Sequence, residues 1–204
     1  MKGSLVFAGV AALFTGAEIL LHAIPKDCYL LRPPGMQSEQ DFSARCIKCG
    51  KCMEACPYRC ILPADALNGS QTGSPHIKPR TLACRLCEDF PCVNACPTGA
   101  LRNVENRSDV HMGVAVINKD LCIAASGMRC EVCYRACPLI DEAISIDYSM
   151  REGDAIHALF MPTINPDKCT GCGLCVERCV IGEPEVAIRI ATNEEYKTLS
   201  YTDE

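Results

Sequence analysis

Residues 46 to 57 read Cys46-Ile-Lys-Cys49-Gly-Lys-Cys52-Met-Glu-Ala-Cys56-Pro57. Four thiols packed into so short a stretch leave a chain few options. Disulfides among them would be strained across a tight loop, and structural zinc usually takes two well-separated pairs. Three thiolates at three-residue spacing can instead wrap one face of an iron–sulfur cube. The fourth, displaced onto the next element and followed by proline, then reaches a neighbouring cube. The pattern recurs three times. Cys84-x2-Cys87-x4-Cys92-x3-Cys96 ends in Pro97, and Cys122-x7-Cys130-x2-Cys133-x3-Cys137 ends in Pro138. Cys169-x2-Cys172-x2-Cys175-x3-Cys179 carries Val180 where the other three have proline.

Composition supports metal staples. The chain has 204 residues, enough for one or two domains, with no Trp and only 5% aromatics. Its hydrophobic content of 49% includes 18 Cys, and without them it falls to roughly 40%, low for an ordinary packed core. Chains this poor in large apolar groups gain stability from bound metal. The net charge of −5 gives no reason to expect nucleic acid as a partner. Cluster loading adds more negative charge, which N–H groups and nearby cations must offset. Basic residues stand beside every run: Arg45, Lys48, Lys51 and Arg59; Arg80 and Arg85; Arg129 and Arg135; Lys168 and Arg178. The expectation is that some of them raise cluster potentials. The plainer reading is that each is a solvated surface charge.

Three regions follow in order. Residues 1–27 form a hydrophobic signal or anchor segment. The apolar run from Leu5 to Phe14 reads as the centre of an export signal, whereas Glu18 and His22 disfavour a membrane span. The segment is similar to the interior of a twin-arginine signal whose basic start is missing; an anchor or docking helix is the alternative. Cys28 follows Lys-Asp, which is not a lipoprotein cleavage sequence. Residues 28–191 hold all four runs as two paired units, and 192–204 are expected to be a loose polar tail. Within the central region, 29–45 is turn-rich with no helical period, and 61–80 is a linker rich in Gly, Ser, Pro and Asn. His111–Asn118 and Phe160–Asn165 are predicted strands leading into the third and fourth runs. Successive runs are separated by 28, 26 and 32 residues, from Cys56 to Cys84, Cys96 to Cys122 and Cys137 to Cys169. The predicted class is α+β: tandem bacterial-ferredoxin-like repeats of short strands and short helices around four 4Fe-4S clusters.

Setting aside Cys28 and Cys60, sixteen cysteines remain, four for each of four clusters. No run lacks a ligand, so no open iron site is expected, and no catalytic site. The four histidines are scattered, and the sequence holds no dinucleotide or phosphate-loop fingerprint. Cys60 fits no ligand position and is expected to be a small buried thiol. Spacing alone leaves the pairing of runs open. The preferred pairing joins first with fourth and second with third. Cys56 would then complete Cys169, Cys172 and Cys175, and Cys96 would complete Cys122, Cys130 and Cys133. Neighbour pairing, with Cys56 beside Cys84, is the alternative.

The fillers between cysteines add a resemblance. Leu31-Arg32-Pro33-Pro34-Gly35, Cys87-Glu88-Asp89 with Pro91-Cys92, Met112-Gly113-Val-Ala-Val, Arg129-Cys130-Glu-Val-Cys133-Tyr134-Arg135 and Ile140-Asp-Glu-Ala-Ile144 together resemble the NapG/MauM-type ferredoxins. The likeness spans roughly residues 30 to 190. It implies a four-cluster electron-transfer subunit exported folded to the periplasm. Such a subunit works with a polytopic, NapH-like quinol-oxidising membrane protein and feeds a periplasmic reductase or cytochrome, nitrate reductase above all. The absent twin arginine leaves the cytoplasmic side open. The alternatives are a cluster-stabilised assembly factor, or an electron-transfer subunit of another molybdenum oxidoreductase.

Overall fold

The structure is a computed structural model describing residues 30–151, 153, 156–182 and 185–200. The expected signal segment and Cys28 lie outside the described residues. Among those residues no helix is long and apolar enough to cross a membrane.

Cysteine loops interrupt every periodic stretch, so each element is short. Four helical turns, α2 (Lys51–Glu54), α3 (Pro91–Asn94), α4 (Val132–Ala136) and α5 (Leu174–Arg178), each carry the third cysteine of a run. Three of them start from a left-handed residue: Gly50 (φ 79°), Phe90 (φ 39°) and Gly173 (φ 83°). That reversal stops the loop from continuing as one helix, so its thiols splay around a common space. Phe90 lacks glycine's freedom and is held there by burial and by Pro91, whose fixed φ starts α3.

Three two-stranded antiparallel sheets frame the loops. β1 (Ile61–Pro63) pairs with β2 (Pro75–Ile77), β3 (Val114–Ile117) with β6 (Ile188–Ala191), and β4 (Ile144–Met150) with β5 (Ala158–Ile164). The predicted strands at 111–118 and 160–165 are present as β3 and β5. In the β3–β6 pair Val114 faces Ala191 and Ile117 faces Ile188, which closes the second half of the chain on itself.

Three local expectations are corrected. Residues Glu39–Arg45 form helix α1, which a scan for helical period misses because only one of its residues, Phe42, is buried. Its signal is a cap: Ser38 accepts from the Asp41 N–H, and acids fill the first turn. The 61–80 linker is a packed hairpin. Its clamp is Arg32, buried to 1%, which donates to Ser74 Oγ (2.8 Å) and the Pro75 carbonyl (3.0 Å), pairs with Glu39 and lies 4.8 Å over the Phe42 ring. Within the described part of the polar tail, Asn193–Ser200 form helix α6, begun by Thr192 Oγ1 accepting from the Glu195 N–H at 2.8 Å. Leu199 of α6 shares a pocket wall with Val116 and Val186.

One core runs through both halves, from Leu31 and Phe42 through Leu86, Phe90 and Met112 to Val176 and Ile190. Cys52, Cys56, Cys60, Cys84, Cys92 and Cys172 belong to it. The halves meet at the main-chain hydrogen bond from Cys84 N–H to the Cys172 carbonyl, and just before β3 Met112 N–H donates to the Thr170 carbonyl, both 3.0 Å. At the second, the chain passes so close that a Cβ on Gly171 would sit 2.5 Å from both the backbone N and O of Gly113.

Candidate metal centres

Each helical turn points its cysteine into a cavity that the rest of its run encircles, and the fourth wall is completed from another run. Cys46, Cys49 and Cys52 share a cavity with Cys96. Cys84, Cys87 and Cys92 share one with Cys56. Cys122, Cys130 and Cys133 share one with Cys179, and Cys169, Cys172 and Cys175 share one with Cys137. All sixteen predicted cysteines are therefore gathered in fours, but not in the expected fours. The preferred pairing of first with fourth and second with third is overturned: the runs pair as neighbours, each lending its fourth cysteine to the adjacent run. The physical reason is chain length. α2 and α3 are joined by the short β1–β2 hairpin and α4 and α5 by the β4–β5 hairpin, and closing these local loops is entropically easier than bringing the chain ends together.

The cavities suit a cluster better than a single ion. Each is ringed by the thiols of its set, and apolar residues such as Phe42, Ile117, Phe90 and Ile164 line the remaining walls. Among the described residues no three His, Cys, Asp or Glu side chains converge tightly enough to hold one metal ion. A zinc site would bring its sulfurs to about 2.3 Å from one centre. Thiols gathered in fours without converging on one point are what a four-iron cube requires.

Electrostatics show what the empty thiols resist. Burial pushes the Cys52, Cys133 and Cys172 thiols up to about 11 and Cys92 up to about 12, with neighbouring thiols adding to the effect. Cys175 is raised well above its ordinary value by the same causes. A buried thiolate needs a cation, so metal binding and proton release are coupled here. Donors are already in place for some sulfurs. Ala115 N–H lies 3.4 Å from Cys169 Sγ. Burial pushes Cys96 up, yet the N–H groups of Leu101, Thr98 and Ala100 outweigh it and the thiol is lowered overall.

The flanking cations are mostly committed elsewhere. Lys48 Nζ donates to the Ser70 and Thr72 carbonyls, Arg45 pairs with Asp41, and Arg129 and Arg135 both pair with Glu131. Arg80 donates to the Val176 and Cys179 carbonyls at 3.1 and 2.8 Å, tying the first half to the fourth run. Arg85, on the wall of the second-run cavity, pairs with Glu177 at 2.8 Å. Glu177 also accepts from Ala83 N–H at 2.7 Å, so this carboxylate is the polar pin of the junction. Its place could not be read from sequence, because it lies more than ninety residues from both partners.

Cys60 is buried, as expected, at 3% exposure. Its location was not foreseen: it stands in the second-run cavity, with its sulfur 3.5 Å from Cys56 Sγ. The available signal was its place four residues after Cys56, just beyond Pro57, where a short turn returns the chain to the same wall.

Comparison with known proteins agrees with the neighbour arrangement. Residues 45–100 and 122–182 each match the model of a 4Fe-4S dicluster domain, boundaries that enclose the first two and the last two runs. The chain is 42% identical over 160 residues to ferredoxin-type protein NapG of Escherichia coli K12, covering 78% of this chain and 69% of that protein. It is 40% identical over 186 residues to the methylamine utilization ferredoxin-type protein MauM of Paracoccus denitrificans, covering 89% and 81%. Ferredoxin-type protein NapF of E. coli is 24% identical over 152 residues, covering 74% of this chain and 80% of that protein. No solved structure matches.

Proposed function

Because the chain belongs to the NapG and MauM ferredoxin-type proteins, a family built on 4Fe-4S dicluster domains, we propose that it carries four such clusters and relays electrons from a quinol-oxidising membrane partner toward a periplasmic reductase. In this reading Cys46, Cys49, Cys52 and Cys96 hold one cluster, and Cys56, Cys84, Cys87 and Cys92 the second. Cys122, Cys130, Cys133 and Cys179 hold the third, and Cys137, Cys169, Cys172 and Cys175 the fourth. Each bound cluster supplies one-electron redox chemistry. The protein's own groups hold the sulfurs, exclude water with apolar walls and offset charge with N–H donors.

One observation carries the reading. The Cys84–Cys172 hydrogen bond sets the second-run cavity against the fourth-run cavity. With neighbour pairing on either side, the cavities form an unbroken series: first, second, fourth, third. The outer two present apolar wall residues to solvent, Ile47 at 66% and Val180 at 57% exposure, and these are the expected partner contacts. The ferredoxin-type relatives support an electron carrier, and in this reading the chain has no substrate of its own. The partners expected are a NapH-like polytopic protein and a periplasmic reductase, with nitrate as the first terminal acceptor. Comparable identity to a methylamine-utilization protein favours, as a second reading, the same relay serving another oxidoreductase.

The test is anaerobic purification with iron and sulfide counting, followed by reduction with a quinol-linked membrane fraction. About sixteen irons per chain and reversible bleaching are expected. Clusters that are present but not cycled by the partner would point to an assembly factor instead. A colourless zinc protein would defeat the cluster reading. Co-purification from fractionated cells identifies the acceptor and the compartment.

A further inference from the structure

The second-run cavity differs from the other three in holding five thiols. Four of them, Cys56, Cys84, Cys87 and Cys92, are its ligand set. The fifth, Cys60, lies 3.5 Å from Cys56 Sγ. It cannot serve as an additional corner. Four sulfurs ligating one cube spread around it, and two sulfurs at hydrogen-bond distance are too close to occupy separate corners. Ligated Cys56 and Cys84 are thiolates with no proton to give. The proton between Cys60 and Cys56 then belongs to Cys60, and the Cys56 sulfur accepts it.

We propose that the Cys60 thiol donates a hydrogen bond to the ligand sulfur of Cys56, and thereby sets the potential of this one cluster above that of the same four-thiol site without it. This rests on the cluster reading above. Reduction places one more negative charge on a cluster and its sulfurs, and a donor aimed at those sulfurs stabilises that charge. Cys60 acts through Cys56, not on iron. Its position also matters for the relay, because this cavity adjoins the second half of the chain through the Cys84–Cys172 hydrogen bond.

The test uses the full chain, loaded and handled anaerobically, as wild type, Cys60→Ala, Cys60→Val and Cys60→Ser. Valine guards against the void that alanine leaves. Iron is counted first, and each protein is then titrated with dithionite while the clusters are followed by EPR. In Ala and Val, one midpoint potential falls while the other three hold, and Ser restores it. A hydrogen bond of ordinary strength corresponds to about a three- to tenfold change in the reduced-to-oxidised ratio at fixed potential. At 59 mV per tenfold that is about 28–59 mV. Four unchanged potentials overturn the proposal, and so does a common shift of all four. Loss of about four irons in both Ala and Val also overturns it, by making Cys60 a ligand. A wild type without about sixteen irons defeats the cluster reading itself, an outcome visible before any titration.

Discussion

The neighbour pairing can be tested by counting. Cys96 is the residue to use, since it changes partner between the two arrangements and has no spare thiol beside it. In the structure it completes the cavity of Cys46, Cys49 and Cys52; under the long-range pairing it would serve Cys122, Cys130 and Cys133. Cys96→Ala should cost one cluster, about four of sixteen irons. Each double variant then reports on connectivity. Cys96→Ala with Cys49→Ala strikes one cavity twice and should retain about twelve irons. Cys96→Ala with Cys130→Ala strikes two cavities and should retain about eight. This is the logic of a double-mutant cycle, in which residues acting as a unit are not additive. The assay is iron and sulfide analysis of anaerobically reconstituted protein, with circular dichroism to verify that the remaining fold is intact. The reversed result, about eight for the first double and about twelve for the second, would refute the pairing and the series of cavities built on it. Cys56 is a poorer probe, because Cys60 stands close enough to replace it.

Other expectations follow from single contacts. Gly171→Ala forces a Cβ to 2.5 Å from the Gly113 backbone at φ +69°, whereas Gly50→Ala, at φ +79°, meets nothing within 4 Å. The second should lose only the left-handed penalty of about 1–2 kcal/mol, and the first substantially more; midpoints of anaerobic denaturant unfolding would rank them. Arg32→Met strands the groups of Ser74, Gln71 and Pro75 that it now satisfies. A loss of about 3 kcal/mol is expected, at the low end for a buried pair because Glu39 is 45% exposed and can rehydrate. Burial pushes Glu177 up, but the Ala83 N–H and Arg85 outweigh it and hold the carboxyl below its ordinary value of 4.5. A lowered folded-state value means stability that is present above 4.5 and lost as pH falls through the folded value. Glu177→Gln should therefore lower stability at neutral pH and flatten its dependence below about pH 4.5, as measured by the thermal loss of visible absorbance.

Much of the site was legible because cluster ligation is written locally. Three thiols at fixed spacing occupy one loop, and the turn that presents them needs only a reversal such as Gly50 or Gly173 and a single helical turn. Strands β3 and β5 were legible as short, largely apolar stretches leading into the third and fourth runs. Helix α1 was not, because its stability comes from the Ser38 cap and from packing Phe42 under Arg32. Helix α6 was likewise missed, since a polar stretch becomes helical here through the Thr192 cap and the docking of its apolar side near Val116.

By itself the sequence determined the chemistry to expect of this protein: sixteen thiols in four sets, a low share of large apolar groups, and a family signature in the fillers. Which fourth cysteine enters which cavity was decided only by the tertiary structure. Spacing fixes the three thiols of a loop, but the fourth is aimed by the element that carries it, and that depends on the hairpins that bring neighbouring runs together. The run at Cys46 is therefore completed by Cys96, not by the end of the chain. The far end is held instead by Arg80, by Glu177 and by the close pass of Gly171 against Gly113. Those contacts bring together groups roughly sixty to a hundred residues apart, a separation at which sequence pattern carries no signal.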